Sequence, residues 1–358
     1  MYSKIINPKT NRKVKITSKL GQKIISQYIY VLNGGSSAEE SKNEYDTINV
    51  LSYNVSWEAL TPKPNWNIGP NPYNTGDGEN GLGYLCNQDV EVCRRNIFNV
   101  LTNGLLNNKE EKEKYDLIGL QEYYPEALDK KIKDTLHDMT IISGYVELPL
   151  PNFIKPIFIA SIFNNTKFKL YNSMLGEFLA YNRHGVIGKD GRPFLILLLE
   201  NIVSGEMILF INAHMPQTRN IINDDGDLPQ VVIQKVLENA IISNFPEEIL
   251  KNVRIILSSD SNDCGPWFGK NDLRNYEKYA FVDKITLLGK KLYLGNNLKK
   301  TCCSSALIPL GDKKYIKPDS HRFGDIVLDS KSAEFDYSYP QFTEPSSDHR
   351  PIAAILPI

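Results

Sequence analysis

Apolar runs of strand length, most of which end in a polar residue or are followed by one, constrain the fold of this chain more than any other feature. The runs are rich in Ile, Leu and Val and include residues 48–54, 116–121, 157–163, 194–200, 207–213, 253–259, 325–329 and 351–356. Strands that are apolar almost throughout are typically covered on both faces. Helical spacing of apolar residues separates some of these runs, over 91–106, 125–137 and 228–243. The pattern predicts an α+β fold, a four-layer α/β/β/α sandwich of two mixed β-sheets flanked by helices.

Length and composition limit the kinds of protein this chain can be. With 358 residues, 41% of them apolar, it can form one large domain with an appendage, or two ordinary domains. A net charge of −1 gives no strong overall field to attract nucleic acid. The sequence has no signal-peptide pattern and no apolar run near the ~20 residues that a membrane span needs. We therefore expect an intracellular, cytoplasmic protein.

Cysteine usage leads to the same expectation. The chain has five cysteines, an odd number, and no CxxC motif. Such usage is typical of proteins from reducing compartments, where disulfides are rare. It therefore predicts reduced thiols.

The first 44 residues differ from the rest of the chain. The charged residues up to position 38 are all basic, and the first acidic residue is Glu39. Residues 34–41 are rich in Gly and Ser, which is typical of a flexible linker. We therefore divide the chain into a basic N-terminal arm and linker, 1–44, and a main domain, 45–358. Two interpretations of the arm stay open: a solvated tail, or an arm that binds a protein or nucleic-acid partner.

The polar residues at the strand ends are the candidates for chemistry. They are Asn54, Glu122, His214, Asp260, Asn262, Asp325, Asp348 and His349. Each alone has an ordinary explanation, such as a turn asparagine, a helix cap, a surface carboxylate or a structural histidine. Together they offer carboxylates for a cation, imidazoles for proton transfer and amides for orientation. Phosphodiester hydrolysis needs these groups, and Mg²⁺ needs only one or two protein carboxylates because it keeps several waters.

The order of these motifs resembles a known superfamily. Asn54, Gln121-Glu122, Asn212-x-His214, Asp260-x-Asn262, Asp325 and Ser347-Asp348-His349 follow one another as in the endonuclease/exonuclease/phosphatase, or deoxyribonuclease-I-like, superfamily. The resemblance covers about residues 46–358. It implies a catalytic domain that depends on Mg²⁺, with Mn²⁺ able to substitute. The chain departs from the usual GDxN motif, since Ser259 replaces the glycine.

The resemblance also implies roles for individual residues. Glu122 and Asp348 would hold the metal, and Asn54 would act at the phosphate. His214 would donate to a phosphoryl oxygen, Asp260 would activate or orient water, and Asn262 would bind phosphate. His349 would contact the scissile phosphate, oriented by Asp325 as an Asp orients an imidazole base elsewhere. Separately, Arg183 is a candidate phosphate contact on the basis of its charge.

Three functions follow from these observations. The first is a Mg²⁺-dependent phosphodiester hydrolase acting on nucleic acid or nucleotide substrates, with bases stacked on tyrosine and tryptophan side chains. The second is a phosphohydrolase of the phosphoinositide or sphingomyelin type. The third is a catalytically silent binding scaffold, which would have no need of the full set of metal-binding and imidazole groups.

The N-terminal arm carries a resemblance of its own. Residues 4–32, with the run Asn7-Pro8-Lys9-Thr10-Asn11, resemble short basic modules found on giant-virus proteins. This resemblance implies a viral origin, and a place in the host cytoplasm or the virion.

Overall fold

A computed structural model provides the structure of the chain. It describes residues 4–6, 13–18, 20–22, 24–25, 47–55, 60, 90–106, 112–150, 153–178, 191–216, 229–263, 285–296, 323–340, 349 and 351–358.

Within these ranges the chain forms eighteen strands and four helices with complete bounds, and residues 20–22 and 24–25 are also helical. The strands are β1 Lys4–Ile6, β2 Lys13–Lys15, β3 Thr47–Asn54, β4 Leu105–Leu106, β5 Lys112–Glu113, β6 Leu117–Tyr123, β7 Met139–Leu150, β8 Phe153–Asn164, β9 Phe168–Phe178, β10 Arg192–Asn201, β11 Met207–His214, β12 Arg254–Asp263, β13 Thr286–Leu287, β14 Lys290–Lys291, β15 Tyr293–Leu294, β16 Phe323–Asp329, β17 Tyr337–Ser338 and β18 Ile352–Pro357. The helices are α1 Val90–Asn103, α2 Pro125–Thr135, α3 Pro229–Asn244 and α4 Glu247–Leu250.

Two six-stranded mixed sheets share one plan. The first sheet has the order β17-β18-β3-β6-β8-β7, and the second has the order β15-β16-β12-β11-β10-β9. Each has a single parallel pair at its centre, β3 with β6 and β11 with β12. The other neighbours in both sheets are antiparallel. The four strands of these parallel pairs are buried along almost their whole length, as expected for strands covered on both faces.

Three apolar layers hold the sheets and helices together. Between the sheets, Val50, Leu117 and Ile159 pack against residues such as Leu197 and Phe210. Outside the first sheet, the apolar faces of α1 and α2 cover its outer surface. Outside the second sheet, α3 packs through Ile233, Leu237 and Ile241, and Leu250 of α4 joins the same layer. The predicted α/β/β/α sandwich is therefore confirmed.

The expectation of reduced thiols is wrong at Cys93. This residue of α1 is disulfide-bonded, and the other four cysteines lie outside the described residues. Disulfide formation depends on the distance and direction between two Cβ atoms in the fold. An odd count and the lack of CxxC carry no information on that distance. The cytoplasmic location therefore stays a prediction without support from the cysteines.

None of the helices in the described ranges combines the length and apolar character that crossing a membrane requires.

Candidate active site

The two parallel strand pairs bring their carboxyl ends to the same edge of the sandwich. In the first sheet Asn54 of β3 lies beside Gln121 of β6. In the second sheet His214 of β11 lies beside Asp260 of β12. Across the sheets, the Asn54 side chain donates to Asp260 at 2.9 Å, which joins the two edges directly.

Irregular backbone at the ends of two strands sets the direction of two site residues. The register of β6 with β8 shifts between Gln121 and Tyr123, and Glu122 there has a φ of 54°. The register of β12 with β16 shifts after Asp260, and Asn262 has a φ of 45°. Non-glycine residues seldom adopt this left-handed region, and bulges of this kind are frequent beside active sites.

Asp260 is the residue that most of the site contacts. Its carboxylate is buried and accepts from Asn54 Nδ2 at 2.9 Å and from the backbone N–H of Asn262 at 2.9 Å. Two imidazole nitrogens lie close to its Oδ2, His214 Nε2 at 3.4 Å and His349 Nε2 at 3.8 Å. Asp260 therefore stands between two histidines from distant parts of the chain, one at the end of β11 and one just before β18.

A second buried carboxylate orients His349. The Nδ1 of His349 lies 2.9 Å from Asp325 Oδ2, and the Asn54 backbone N–H donates to Asp325 Oδ1 at 3.4 Å. An ionised carboxylate only accepts, so Nδ1 carries the proton and Nε2 faces Asp260. Burial raises the pKa of Asp325 to about 6, the nearby His349 opposes this rise, and the charge of Asp260 adds to it.

Arg192, at the start of β10, gives His214 a different environment. Its Nη1 lies 2.9 Å from His214 Nε2, 3.3 Å from His214 Nδ1 and 3.8 Å from Glu122 Oε1. Glu122 Oε1 also lies 3.7 Å from His214 Nε2, and the Glu122 side chain is 25% exposed. A guanidinium only donates, so the nearer imidazole nitrogen accepts from it. In this arrangement His214 binds an arginine, whereas the sequence resemblance gives it the role of a phosphate donor.

Sequence reasoning missed Arg192, although one signal could have found it. The Gly-Arg-Pro run before residues 194–200 resembles ordinary loop sequence. Because β10 and β11 are antiparallel, with Phe194 beside Ala213, the start of β10 must lie near His214 at the end of β11. Pairing the two runs as a hairpin would have placed Arg192 in the site.

The structure brings most of the predicted residues together. Those that meet at this edge are Asn54, Glu122, His214, Asp260, Asn262, Asp325 and His349. Asn262 lies there with its side-chain amide donating to the Met215 carbonyl at 2.6 Å. Arg183 and Asp348 lie outside the described residues. Tyr123, the tyrosine next to Glu122, is fully buried, so it packs in the core and offers no surface on which a base could stack.

A layer of buried polar side chains lies between the sheets just below the site. Gln121 Nε2 donates to Asn212 Oδ1 at 2.7 Å and lies 3.5 Å from Ser52 Oγ. Asn212 in turn donates to the Ala160 carbonyl at 2.7 Å, on the opposite sheet. Gln121 precedes Glu122, and Asn212 lies two residues before His214. This layer therefore fixes the position of Glu122 relative to His214.

The cation that the resemblance implies can be tested against the donors present. The Glu122 carboxylate is an oxygen donor at the partly exposed side of the site, and Mg²⁺ takes one or two carboxylates while keeping waters. Across the described ranges, no three or more His, Cys, Asp or Glu side chains are grouped so as to hold a metal ion. The Glu122 carboxylate is therefore the oxygen donor that these residues offer to the cation implied by the resemblance.

Comparison with solved structures identifies the fold. An endonuclease/exonuclease/phosphatase from Bacteroides vulgatus matches with a TM-score of 0.53 and 11% identity, over 87% of this chain and 99% of that chain. An endonuclease/exonuclease/phosphatase family protein from Bacteroides thetaiotaomicron matches with a TM-score of 0.51 and 17% identity, over 87% of this chain and 94% of that chain. Neither a family model nor a curated protein matches the sequence. The chain therefore has the deoxyribonuclease-I-like fold of the endonuclease/exonuclease/phosphatase superfamily, as the order of its motifs predicts.

Proposed function

We propose that the chain is a Mg²⁺-dependent phosphodiester hydrolase that acts on nucleic acid or nucleotide phosphodiesters. The observation that carries the proposal is the position of Asp260. It is a buried carboxylate with two imidazoles within 3.8 Å of one oxygen. Around it lie the Glu122 carboxylate and the Arg192 guanidinium, one suited to a cation and the other to a phosphate.

Asp260 activates or orients the attacking water in this proposal. Hydrogen bonds from Asn54 and from the Asn262 backbone fix its carboxylate, which therefore presents its oxygens in a single arrangement. A fixed acceptor costs little reorganisation when the water loses its proton, and preorganised polar groups of this kind dominate many rate enhancements.

Arg192 and His349 bind the phosphoryl oxygens. A guanidinium makes strong, directional hydrogen bonds to phosphate, and His214 positions it by accepting from Nη1 at 2.9 Å. His349 donates to a phosphoryl oxygen from Nε2 as an imidazolium, while its other proton, on Nδ1, is donated to Asp325 at 2.9 Å. Asn262 supports Asp260 and Met215 rather than substrate in this arrangement.

Glu122, together with Asp348, would hold the cation. When bound there, a divalent cation polarises a phosphoryl oxygen and neutralises the charge that develops in the transition state. The left-handed backbone of Glu122 supports this role, since strained residues that persist in a fold cluster at ligand sites.

The test is a substrate panel combined with metal removal and one matched pair of variants. The panel contains single-stranded and duplex DNA, RNA, a nucleotide diester, inositol phosphates and sphingomyelin, each with Mg²⁺, Mn²⁺ or EDTA. We expect hydrolysis of a nucleic acid or nucleotide diester that EDTA abolishes. Glu122→Gln should lose most of this activity and the rise in Tm that Mg²⁺ causes, while Glu248→Gln, an exposed carboxylate on α4, should change neither.

Three other outcomes would contradict the proposal. Activity confined to lipid headgroups would favour the phosphoinositide or sphingomyelin alternative. Full activity in EDTA would remove the cation from the mechanism. A chain that binds substrate without hydrolysing any of the panel would be a scaffold.

A further inference from the structure

Charge is divided unequally along this chain. Residues 1–38 contain seven of the 41 Lys and Arg residues and none of the 42 Asp and Glu residues. This segment therefore carries a formal charge of +7, which leaves −8 on residues 39–358 for the net of −1. A domain with an excess of negative charge repels a polyanionic substrate, whereas the basic segment attracts one.

The hairpin β1–β2 places lysines together on one face. Lys4 is paired directly with Lys15, and Ile6 with Lys13. Residues paired across strands, and residues two apart along a strand, point to the same side, so all three lysines share one face. They are exposed, with Lys4 and Lys15 about 5 Å apart at Cβ and Lys13 and Lys15 about 6.8 Å apart along the strand.

This basic face lies on an ordered structure. Ser18 donates through Oγ to the Lys15 carbonyl at 2.6 Å, and it accepts from the Gly21 N–H at 3.1 Å. Gly21 approaches the hairpin so closely that a Cβ there would lie 2.0 Å from the Lys15 carbonyl oxygen. The hairpin and the turn after it are therefore fixed against each other. This arrangement favours a binding module over the alternative of a solvated tail.

We infer that the lysine face of β1–β2, formed by Lys4, Lys13 and Lys15, is a nucleic-acid-binding surface that captures the phosphate backbone for the catalytic domain. Like charges placed directly opposite each other in a hairpin destabilise it. A bound polyanion relieves that repulsion, and nucleic acid supplies closely spaced phosphates, about one charge per 1.7 Å of duplex axis. The choice of nucleic acid among polyanions rests on the proposed function.

The salt dependence of binding tests this inference in the full-length chain. Anisotropy of a labelled single-stranded oligonucleotide and of a labelled duplex is measured in EDTA over a range of salt concentrations, so that no hydrolysis occurs. The compared protein is K4Q/K13Q/K15Q. Each phosphate contact contributes about 0.7 to the slope of log K against log salt for single strands, and about 0.9 for duplex. We expect the triple variant to bind at least tenfold more weakly at low salt, with a slope that is shallower by about 2 for the single strand and by about 3 for the duplex, in units of about 0.7 and 0.9 per contact.

A matched variant separates a local effect from general loss of positive charge. K130Q/K133Q/K251Q removes three exposed lysines of the main domain, and two of them already lie beside acidic side chains, Lys133 at 3.6 Å from Asp129 and Lys251 at 3.2 Å from Glu247. It should keep the slope of the unmodified chain. Equal slopes for the two triple variants would overturn the inference, as would binding to anionic vesicles but not to either oligonucleotide.

The outcome is independent of the test of function. Hydrolysis of a small diester in Mg²⁺ reports on the catalytic site, whereas the slope in EDTA reports on the arm. If the chain hydrolyses the diester but K4Q/K13Q/K15Q keeps the slope of the unmodified chain, only the inference about the lysine face is refuted. If the slope changes in K4Q/K13Q/K15Q but the unmodified chain hydrolyses no diester, only the proposed function is refuted.

Discussion

The two histidines beside Asp260 lie in opposite environments. His349 has a carboxylate behind it, with Asp325 Oδ2 at 2.9 Å from Nδ1, so it donates from that nitrogen. His214 has a guanidinium against it, with Arg192 Nη1 at 2.9 Å from Nε2, so it accepts there. Both imidazoles are buried and both lie within 3.8 Å of Asp260 Oδ2. The two environments therefore give the same side chain different roles. His349 is an oriented proton carrier, and His214 holds Arg192 in place.

Replacing the shared partner should have the largest effect. Asp260→Asn keeps the size of the side chain but removes the charge that lies between the two imidazoles. Catalytic groups that act as a unit lose most of their effect when one member is removed, so we expect kcat to fall by about 10³-fold or more. Single-turnover kinetics on the best substrate of the panel would measure this.

The control for that change is Asp134→Asn, the same substitution at an exposed position of α2, which should leave kcat unchanged. A fall of less than tenfold in Asp260→Asn would show that the two histidines do not depend on the carboxylate between them.

Asp325→Asn removes the carboxylate behind His349, so the surroundings of the two histidines become more alike. We expect kcat/KM to fall by about 10²-fold, less than the loss in Asp260→Asn.

The same substitution should change how stability and catalytic rate depend on pH. Burial raises the pKa of Asp325 from its ordinary value of 3.8 to about 6. Between these values the folded chain binds more protons than the unfolded chain, so the stabilising contribution of Asp325 is present below pH 3.8 and is lost as pH rises through about 6. Catalysis by the ionised Asp325 with His349 should increase over the same range.

Two measurements check this pair of effects. Urea unfolding at pH 4.5 and 7.5 should show that Asp325→Asn removes part of the decline in stability between them. A pH–rate profile should lose its acidic limb near 6 in the variant. An unchanged acidic limb would assign that titration to another group.

Arg192 tests the other half of the comparison. Arg192→Lys keeps a positive charge but loses the fork that contacts both His214 and a phosphate. We expect kcat/KM to fall by about 10- to 50-fold, mainly through KM, which corresponds to one or two charge-assisted hydrogen bonds. Arg95→Met, at an exposed position on α1, is the control. If Arg192→Lys raised kcat/KM, the guanidinium would be restraining His214 rather than binding substrate.

The sequence predicts which residues lie together in the site better than it predicts the contacts that each of them makes. Glu122, His214 and Asp260 each end a long apolar run, and the carboxyl ends of parallel strands lie at one edge of a sheet. The same runs predict the two mixed sheets and the three main helices, because apolar periodicity is the strongest signal in a single sequence.

Other features depend on distances that no local pattern encodes. The left-handed backbone of Glu122 and Asn262 arises from strand pairing with β8 and β16. Arg192 gains its importance only from the antiparallel pairing of β10 with β11. The disulfide of Cys93 likewise depends on proximity in space.

The inter-sheet layer offers the last and smallest test, because it sets the distance between the two halves of the site. Gly119 of β6 faces the second sheet, where an added Cβ would lie 2.2 Å from Ser258 Oγ and 3.0 Å from Asn212 Oδ1. Gly119→Ala must push the sheets apart or displace both side chains, so we expect a loss of about 1–3 kcal/mol in the free energy of unfolding. Because Asn212 also binds Gln121 at 2.7 Å, the displacement should reach His214 and Glu122 and lower kcat by a few fold.

The double variant G119A/S258G removes the nearest obstacle, the Ser258 side chain. It should recover much of the lost stability, measured by urea unfolding, and much of the lost kcat, measured by kinetics. If the double variant were no more stable than Gly119→Ala, the cost would come from the β6 backbone, and the spacing between Glu122 and His214 would be set elsewhere in the sandwich.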